Sequence, residues 1–316
     1  IKPYINTTGE FTFESNDNTF DQEVRLVWMK IANGLSALNF GKSTNATNMY
    51  LNSVGGLTVN GPVVVNGAYV EFSSALASSS LAIRSSSSVA QTTPITANNL
   101  LLNGAGTFTL TNSSNDFGTI AGGISGDLIG STQIIDAIGG LTIGTVGSNT
   151  GLTGSSTLRV ETLTGNLTLA GSISTTSTST DAVILTAAKN TAIGVPSGGD
   201  IIVSGSPTIT MGSGAIAKLF SGYEQTSSGL TTLAGGVSNA RYNYDETTTT
   251  FNPVLSANNR YAIYRTAEGY GDLNIVSSGG DAEGTTWTYS NGVITTTSGT
   301  ANVLNTVIQA KMALAN

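Results

Sequence analysis

Along most of this chain apolar and polar residues alternate in short runs, and each run closes at Gly, Ser or Asn. The pattern is clearest from Gly139 to Gly222. There Gly140-Leu-Thr-Ile-Gly144, Gly165-Asn-Leu-Thr-Leu-Ala-Gly171, Asp181-Ala-Val-Ile-Leu-Thr186, Gly199-Asp-Ile-Ile-Val-Ser-Gly205 and Pro207-Thr-Ile-Thr-Met-Gly212 are variants of one phrase. Alternation over five or six residues between turn formers predicts strands with one buried face. The phrase returns roughly every 16 to 25 residues, a spacing that predicts stacked coils. In such a stack each strand pairs with its equivalents above and below at about 4.8 Å, so about 14 coils would make a body about 65–70 Å long. Thr serves as a polar β-branched strand residue, and Asn side chains are expected to bond their own copies in neighbouring coils.

Earlier variants run from Ala37 through Phe72, where Asn60-Gly61 and Asn66-Gly67 predict corners with positive φ. The Ser- and Thr-rich interval 73–98 predicts coils of small residues, with Leu76, Leu81, Ile83 and Val89 pointing inward. Residues 1–36 differ in texture and read as an N-terminal junction or cap. There Val24, Val27, Trp28 and Ile31 fit a helix or a strand. The predicted order is this cap, a β-solenoid core over 37–222, a loop-rich extension over 223–284 and a strand–helix junction over 285–316. Leu304, Val307, Ile308 and Met312 carry helical spacing behind Asn302 as N-cap. The expected fold is therefore all-β, a parallel solenoid with a Tyr/Arg-rich loop excursion and a short C-terminal helix.

Composition narrows the function. Only 10% of the 316 residues are charged and 39 are Gly, yet the abundance of Val, Ile and Thr argues against disorder. The net charge of −7, with basic residues scattered singly, gives phosphate backbones nothing to bind, so no nucleic-acid partner is expected. Without Cys or His there is no disulfide framework, no thiolate or imidazole metal site and no histidine-based nucleophile machinery. No apolar run is long enough to span a membrane. A cysteine-free chain of this kind fits an exported bacterial surface protein, and its start at Ile1 reads as a processed or excised segment.

Carboxylates at Asp116, Asp127, Asp136, Glu161, Asp181 and Asp200 are dispersed rather than paired, so no catalytic residue is assigned. No cofactor or metal is expected either. The richest chemistry is Arg241, Tyr242, Tyr244, Asp245, Glu246, Arg260, Tyr261, Tyr264 and Arg265. Two readings stand: a glycan-binding groove formed by Arg241, Tyr242, Tyr244, Arg260, Tyr261 and Tyr264, or a set of contacts pinning a long loop to the coils. The second is favoured. Asp245 and Glu246, adjacent on a strand, would point to opposite faces.

Leu38-Asn-Phe-Gly-Lys-Ser-Thr-Asn45, Asn115-Asp-Phe-Gly-Thr-Ile120 and Gly198-Gly-Asp-Ile-Ile-Val-Ser-Gly205 resemble filamentous-haemagglutinin-type bacterial adhesins. So does the run from Gly229 through Arg241-Tyr-Asn-Tyr-Asp-Glu246 to Tyr261-Ala-Ile-Tyr-Arg265. The resemblance implies a right-handed parallel β-helix, an extracellular, cell-surface location and an adhesive or fibre-forming role. That family's N-terminal secretion domain is not recognisable here, which makes the chain a piece of a longer shaft or a shaft subunit. The expected function is a non-catalytic structural building block of a surface fibre in adhesion or matrix formation. Its partners would be further copies of itself, joined through Tyr4, Phe11, Phe13, Trp28, Trp287, Leu304 and Ile308, and secondarily glycans or host surfaces.

Overall fold

The computed structural model describes residues 4–5, 8–17, 19–31, 33–267, 286–290 and 293–298. The chain divides into two compact units, Ile1–Gly269 and Tyr270–Asn316. In the second, Thr286–Ser290 and Val293–Ser298 are strands, as their alternation predicts, but they pair antiparallel as a hairpin. The helix expected over 303–314, with Leu304 and Ile308, lies outside the described residues.

Among its described residues the first unit is all-β apart from a five-residue helix, Leu230–Ala234, and two 3₁₀ turns. One sheet joins 22 strands, and all of its ladders are parallel. Following the register gives continuous columns of inward side chains. One reads Phe11, Leu38, Val63, Leu81, Leu100, Ile120, Ile143, Leu169, Val203. Its seven inner members are fully buried, whereas Phe11 and Val203 at its two ends are only partly so. A second reads Phe13, Phe40, Val65, Ile83, Leu102, Gly122, Leu152, Ile173, Ile209. The arrangement is consistent with a β-helix-like fold. Burying such a column removes a whole face of each strand from water, at about 25 cal/mol per Å² of apolar area.

Successive members of the first column are separated by 18 residues at the least (Val63 to Leu81) and 34 at the most (Leu169 to Val203). The longest column, Val24 through Met49, Val70, Val89, Phe108, Thr132, Leu158, Val183 and Ala217 to Arg260, has ten members. The expected 14 coils are too many, because turns between strands are longer than an even division allows. With Ala240–Tyr242 beside Asn259–Tyr264 the ladder has one strand more, and its ten steps of about 4.8 Å make it about 48 Å long.

Three local expectations change. The Ser-rich interval 73–98 holds the longest described strand, Leu76–Gln91, with Leu76, Leu81, Ile83 and Val89 all buried, although Leu76 and Leu81, five apart, do not share one alternation. Residues 24–31 are a short strand, a 3₁₀ turn and a second short strand rather than one helix. Gly61 and Gly67 are not positive-φ corners. Gly61 is small because a Cβ there would lie 1.8 Å from the Ser36 carbonyl oxygen, and Gly67 because one would lie 2.7 Å from Met49 Cγ.

Buried Asn side chains work mainly on backbone groups instead of stacking on copies of themselves. Asn45 Nδ2 donates to Asn66 O at 2.8 Å and Asn66 Nδ2 to Gly41 O at 2.7 Å. The fully buried Asn115 donates to Leu110 O and Ile135 O, at 3.3 and 3.2 Å, and accepts from Ile95 N at 3.0 Å. Corners leave backbone groups outside the ladders, and a buried group without a partner costs about 1–3 kcal/mol.

Gly123 shows how tightly the coils turn. Its φ is +66°, a Cβ would lie 1.9 Å from Thr153 O, and its N–H donates to Leu102 O at 2.9 Å. Gly123→Ala is expected to cost about 3–5 kcal/mol, combining the left-handed penalty with backbone overlap. Gly126 also has positive φ (+89°), with nothing within 4 Å of its missing Cβ, so Gly126→Ala should cost only about 1 kcal/mol. Urea unfolding of the two variants reads the difference; equal midpoints would refute the steric argument.

Candidate functional site

The Tyr/Arg cluster sits at the last rung, and strand alternation divides it between two faces. Asn259–Tyr264 pairs with Ile216–Ser221 on one side and with the short strand Ala240–Tyr242 on the other. Tyr242 and Tyr264 turn toward the inner core, while Tyr261 belongs to a separate cluster with Ile184, Ile216, Phe220, Ile263 and Phe251. That second cluster covers the outer face of the sheet beneath the segment 243–258, with Tyr244 and Leu255 packed against it.

Inside, the Tyr242 and Tyr264 rings stack at 5.4 Å and 23°. Tyr264 Oη shares a 2.7 Å hydrogen bond with Thr231 Oγ1, and Tyr242 Oη donates to Glu224 Oε2 at 2.8 Å. Burial pushes the Tyr264 phenol well above its ordinary pKa. On the outer side the Arg241 guanidinium, 6% exposed, donates to the carbonyls of Pro253, Ser238, Ala240 and Val254 and lies 4.8 Å from the Tyr261 ring centre. Tyr244 meets Phe251 edge-on at 5.0 Å, and its hydroxyl accepts from Asn252 N.

Arg265, fully buried, donates to Ala187 O at 2.7 Å and Gly199 O at 2.9 Å. Asp245 and Glu246 lie in a turn, not on a strand. Asp245 Oδ1 accepts from Thr247 N, and Glu246 Oε1 from Asn190 N. Arg241, Tyr261 and Tyr264 therefore present no open ring or fork, and the cluster's chemistry is spent on pinning the loop. Of the six residues Arg241, Tyr261 and Tyr264 are buried, Tyr242, Tyr244 and Arg260 are half-buried, and the rings are divided between the inner core and the outer cluster.

The same segment blunts the end of the ladder. Ser228 O takes the N–H of Val203, helix Leu230–Ala234 packs beside Ile201–Val203, and Arg260 Nη1 donates to Ile209 O at 3.0 Å. An uncovered strand edge is a template for another chain. At the opposite end, Glu10–Phe13 and Val24–Arg25 each pair with one strand only among the described residues. Phe13 stacks on Phe20 at 5.2 Å and meets Phe40 at 5.9 Å, and Phe11 and Phe13 are both half-buried. Tyr4 lies in strand Tyr4–Ile5, which pairs with Lys30–Ile31. The side chains of Tyr4, Trp28 and Trp287 lie outside the described residues, as do Leu304 and Ile308 altogether.

Four of the six dispersed carboxylates are committed to structural partners. Asp127 pairs with Arg84, Asp181 with Lys218, and the buried Glu161 with both Arg159 (3.1 Å) and Lys189 (2.8 Å). Asp200 Oδ1 accepts from Tyr223 N at 2.8 Å. No group of three potential metal ligands occurs among the described residues.

A polar–aromatic group that the sequence does not advertise stands on the outer side of the first rungs. Register aligns Arg25 with Tyr50 and Tyr50 with Glu71, and Tyr69 and Glu23 lie two residues before Glu71 and Arg25. The Arg25 guanidinium lies 4.0 Å from the Tyr50 ring centre, and the Tyr50 and Tyr69 rings are 5.7 Å apart, tilted by 59°. Arg25 Nε donates to Glu23 Oε1 at 2.7 Å, holding that carboxyl below its ordinary pKa. Tyr69 Oη donates to Glu71 Oε2 at 2.9 Å; burial and then that bond push the phenol up to about 12.

Compared with protein-family models, with curated proteins and with solved structures, the chain matches none.

Proposed function

We propose that the chain is a right-handed parallel β-solenoid and a non-catalytic building block of an extracellular bacterial surface fibre, acting in adhesion or matrix formation by self-association. The observation that carries this reading is the contrast between the two ends of the ladder. The far end is stoppered by a helix, an arginine and a folded-back segment. Strands at both ends pair on one side only among the described residues, but the first rung keeps half-exposed Phe11 and Phe13. An edge of that kind favours addition of another strand. The pairing of Asp127, Glu161, Asp181 and Asp200 with structural partners supports a role without catalysis.

Electron microscopy and sedimentation of the purified chain test the proposal. Assemblies longer than the single ladder of about 48 Å are expected at high concentration. Phe11→Lys, which places a charge at the open rung, should shift them to single particles. Strictly single particles from the unaltered chain would overturn the reading.

A further inference from the structure

We infer that the outward group of Arg25, Tyr50, Tyr69 and Glu71 is a binding platform for a neutral sugar ring of a glycan. A pyranose has an apolar C–H face and a rim of hydroxyls, each both donor and acceptor. The platform matches both. Tyr50 and Tyr69 are half-exposed rings fixed by adjacent rungs, so an aromatic surface is presented with little rotamer entropy to lose. Arg25 is held flat by Tyr50 and by Glu23 through Nε, and its two terminal nitrogens have no hydrogen-bond partner among the described residues. Glu71 commits Oε2 to Tyr69, and its Oε1 has no partner among the same residues. A fork of donors and a fixed acceptor thus flank the two rings. Glu23 and Glu71 outweigh Arg25 in charge, which selects against sialylated or sulfated sugars and favours uncharged ones.

The contrast with the last rung strengthens the assignment. There Arg241 and Arg265 are buried and donate to carbonyl oxygens, whereas the Arg25 side chain is 34% exposed.

The full chain is tested on a printed array of neutral, sialylated and sulfated oligosaccharides, and the best neutral ligand is then titrated calorimetrically. Binding to neutral oligosaccharides is expected. Tyr50→Ala and Tyr69→Ala should each weaken it about tenfold or more. Tyr69→Phe, which keeps the ring and frees Glu71, should weaken it about two- to threefold, and Arg25→Lys should fall between. Tyr244→Ala, in the loop at the other end, should bind as the unaltered chain does. Thermal unfolding identifies any variant that fails to fold, in which case Tyr69→Phe and Arg25→Lys decide. No neutral ligand, charged ligands only, or undiminished binding by folded ring variants would overturn the inference. Fibres that form without glycan binding would overturn it alone and leave the structural role standing.

Discussion

Arg265→Ala is expected to destabilise the first unit by about 3–5 kcal/mol, the cost of breaking a buried charged hydrogen-bond set from one side. The substitution strands two carbonyl oxygens, that of the fully buried Ala187 and that of the half-buried Gly199. It also empties the volume of a fully buried side chain and removes the positive charge that faces Glu246, Asp200 and Asp245. Burial lowers the Arg265 pKa, yet an arginine stays protonated, so the side chain carries its charge into the interior and needs those carbonyls and carboxylates. Arg265→Lys keeps the charge and loses the fork, and should recover part of the loss. Because Arg265 O also receives the Gly194 N–H, the damage should start in the segment 188–199. Limited proteolysis followed by mass spectrometry should find the first cuts there. A variant as stable as the parent, or one cut first elsewhere, would refute the clamp.

The second large effect is a reversed pH dependence. Asp136 is fully buried; Oδ1 accepts from Phe117 N at 2.8 Å, and Oδ2 has no hydrogen-bond partner among the described residues. Burial raises its pKa from the ordinary 3.8 to about 6, opposed by the Phe117 bond and helped by the Asp116 charge. A folded pKa above the unfolded one means that the folded state holds this proton more tightly. The associated stability is complete below about pH 4 and is lost as the pH rises through about 6, an effect of order 3 kcal/mol. Asp136→Asn keeps the acceptor toward Phe117 and cannot ionise. Relative to the parent it should gain about 1–3 kcal/mol at pH 7.5 and about a third of that at pH 4.5. Urea midpoints at the two pH values give the comparison, and the difference between the proteins cancels the other carboxylates. An equal gain at both would show that the ionisation is not responsible.

What the sequence makes legible follows from one period. Alternation alone identifies Leu38, Val63, Leu81, Leu100, Ile120, Ile143 and Leu169 as facing one way, and all are buried in one column. It also contains the fate of the Tyr/Arg cluster, since Tyr261 and Tyr264 are three apart on a strand and must face opposite sides. Reading the cluster as a single surface overlooks that parity.

Register is what alternation leaves open. Turns of unequal length make the step between rungs vary from 18 (Val63 to Leu81) to 43 residues (Ala217 to Arg260), and nothing in Tyr50 or Glu71 announces that they stand beside Arg25. The platform is written in four places up to 46 residues apart (Arg25 to Glu71) and becomes visible only when the ladder aligns them. Gly61 and Gly67 are similar. Their neighbours Asn60 and Asn66 suggest turn chemistry, but the constraint comes from Ser36 and Met49 on the preceding rung.

The short reach of the pairings has a kinetic consequence. Along the column from Phe11 to Val203 each strand finds its template in the winding laid down just before it, never in residues still to come. Such a chain can take shape in order, one winding at a time, as it leaves a ribosome or a narrow exit, with entropy lost in small instalments instead of one large closure.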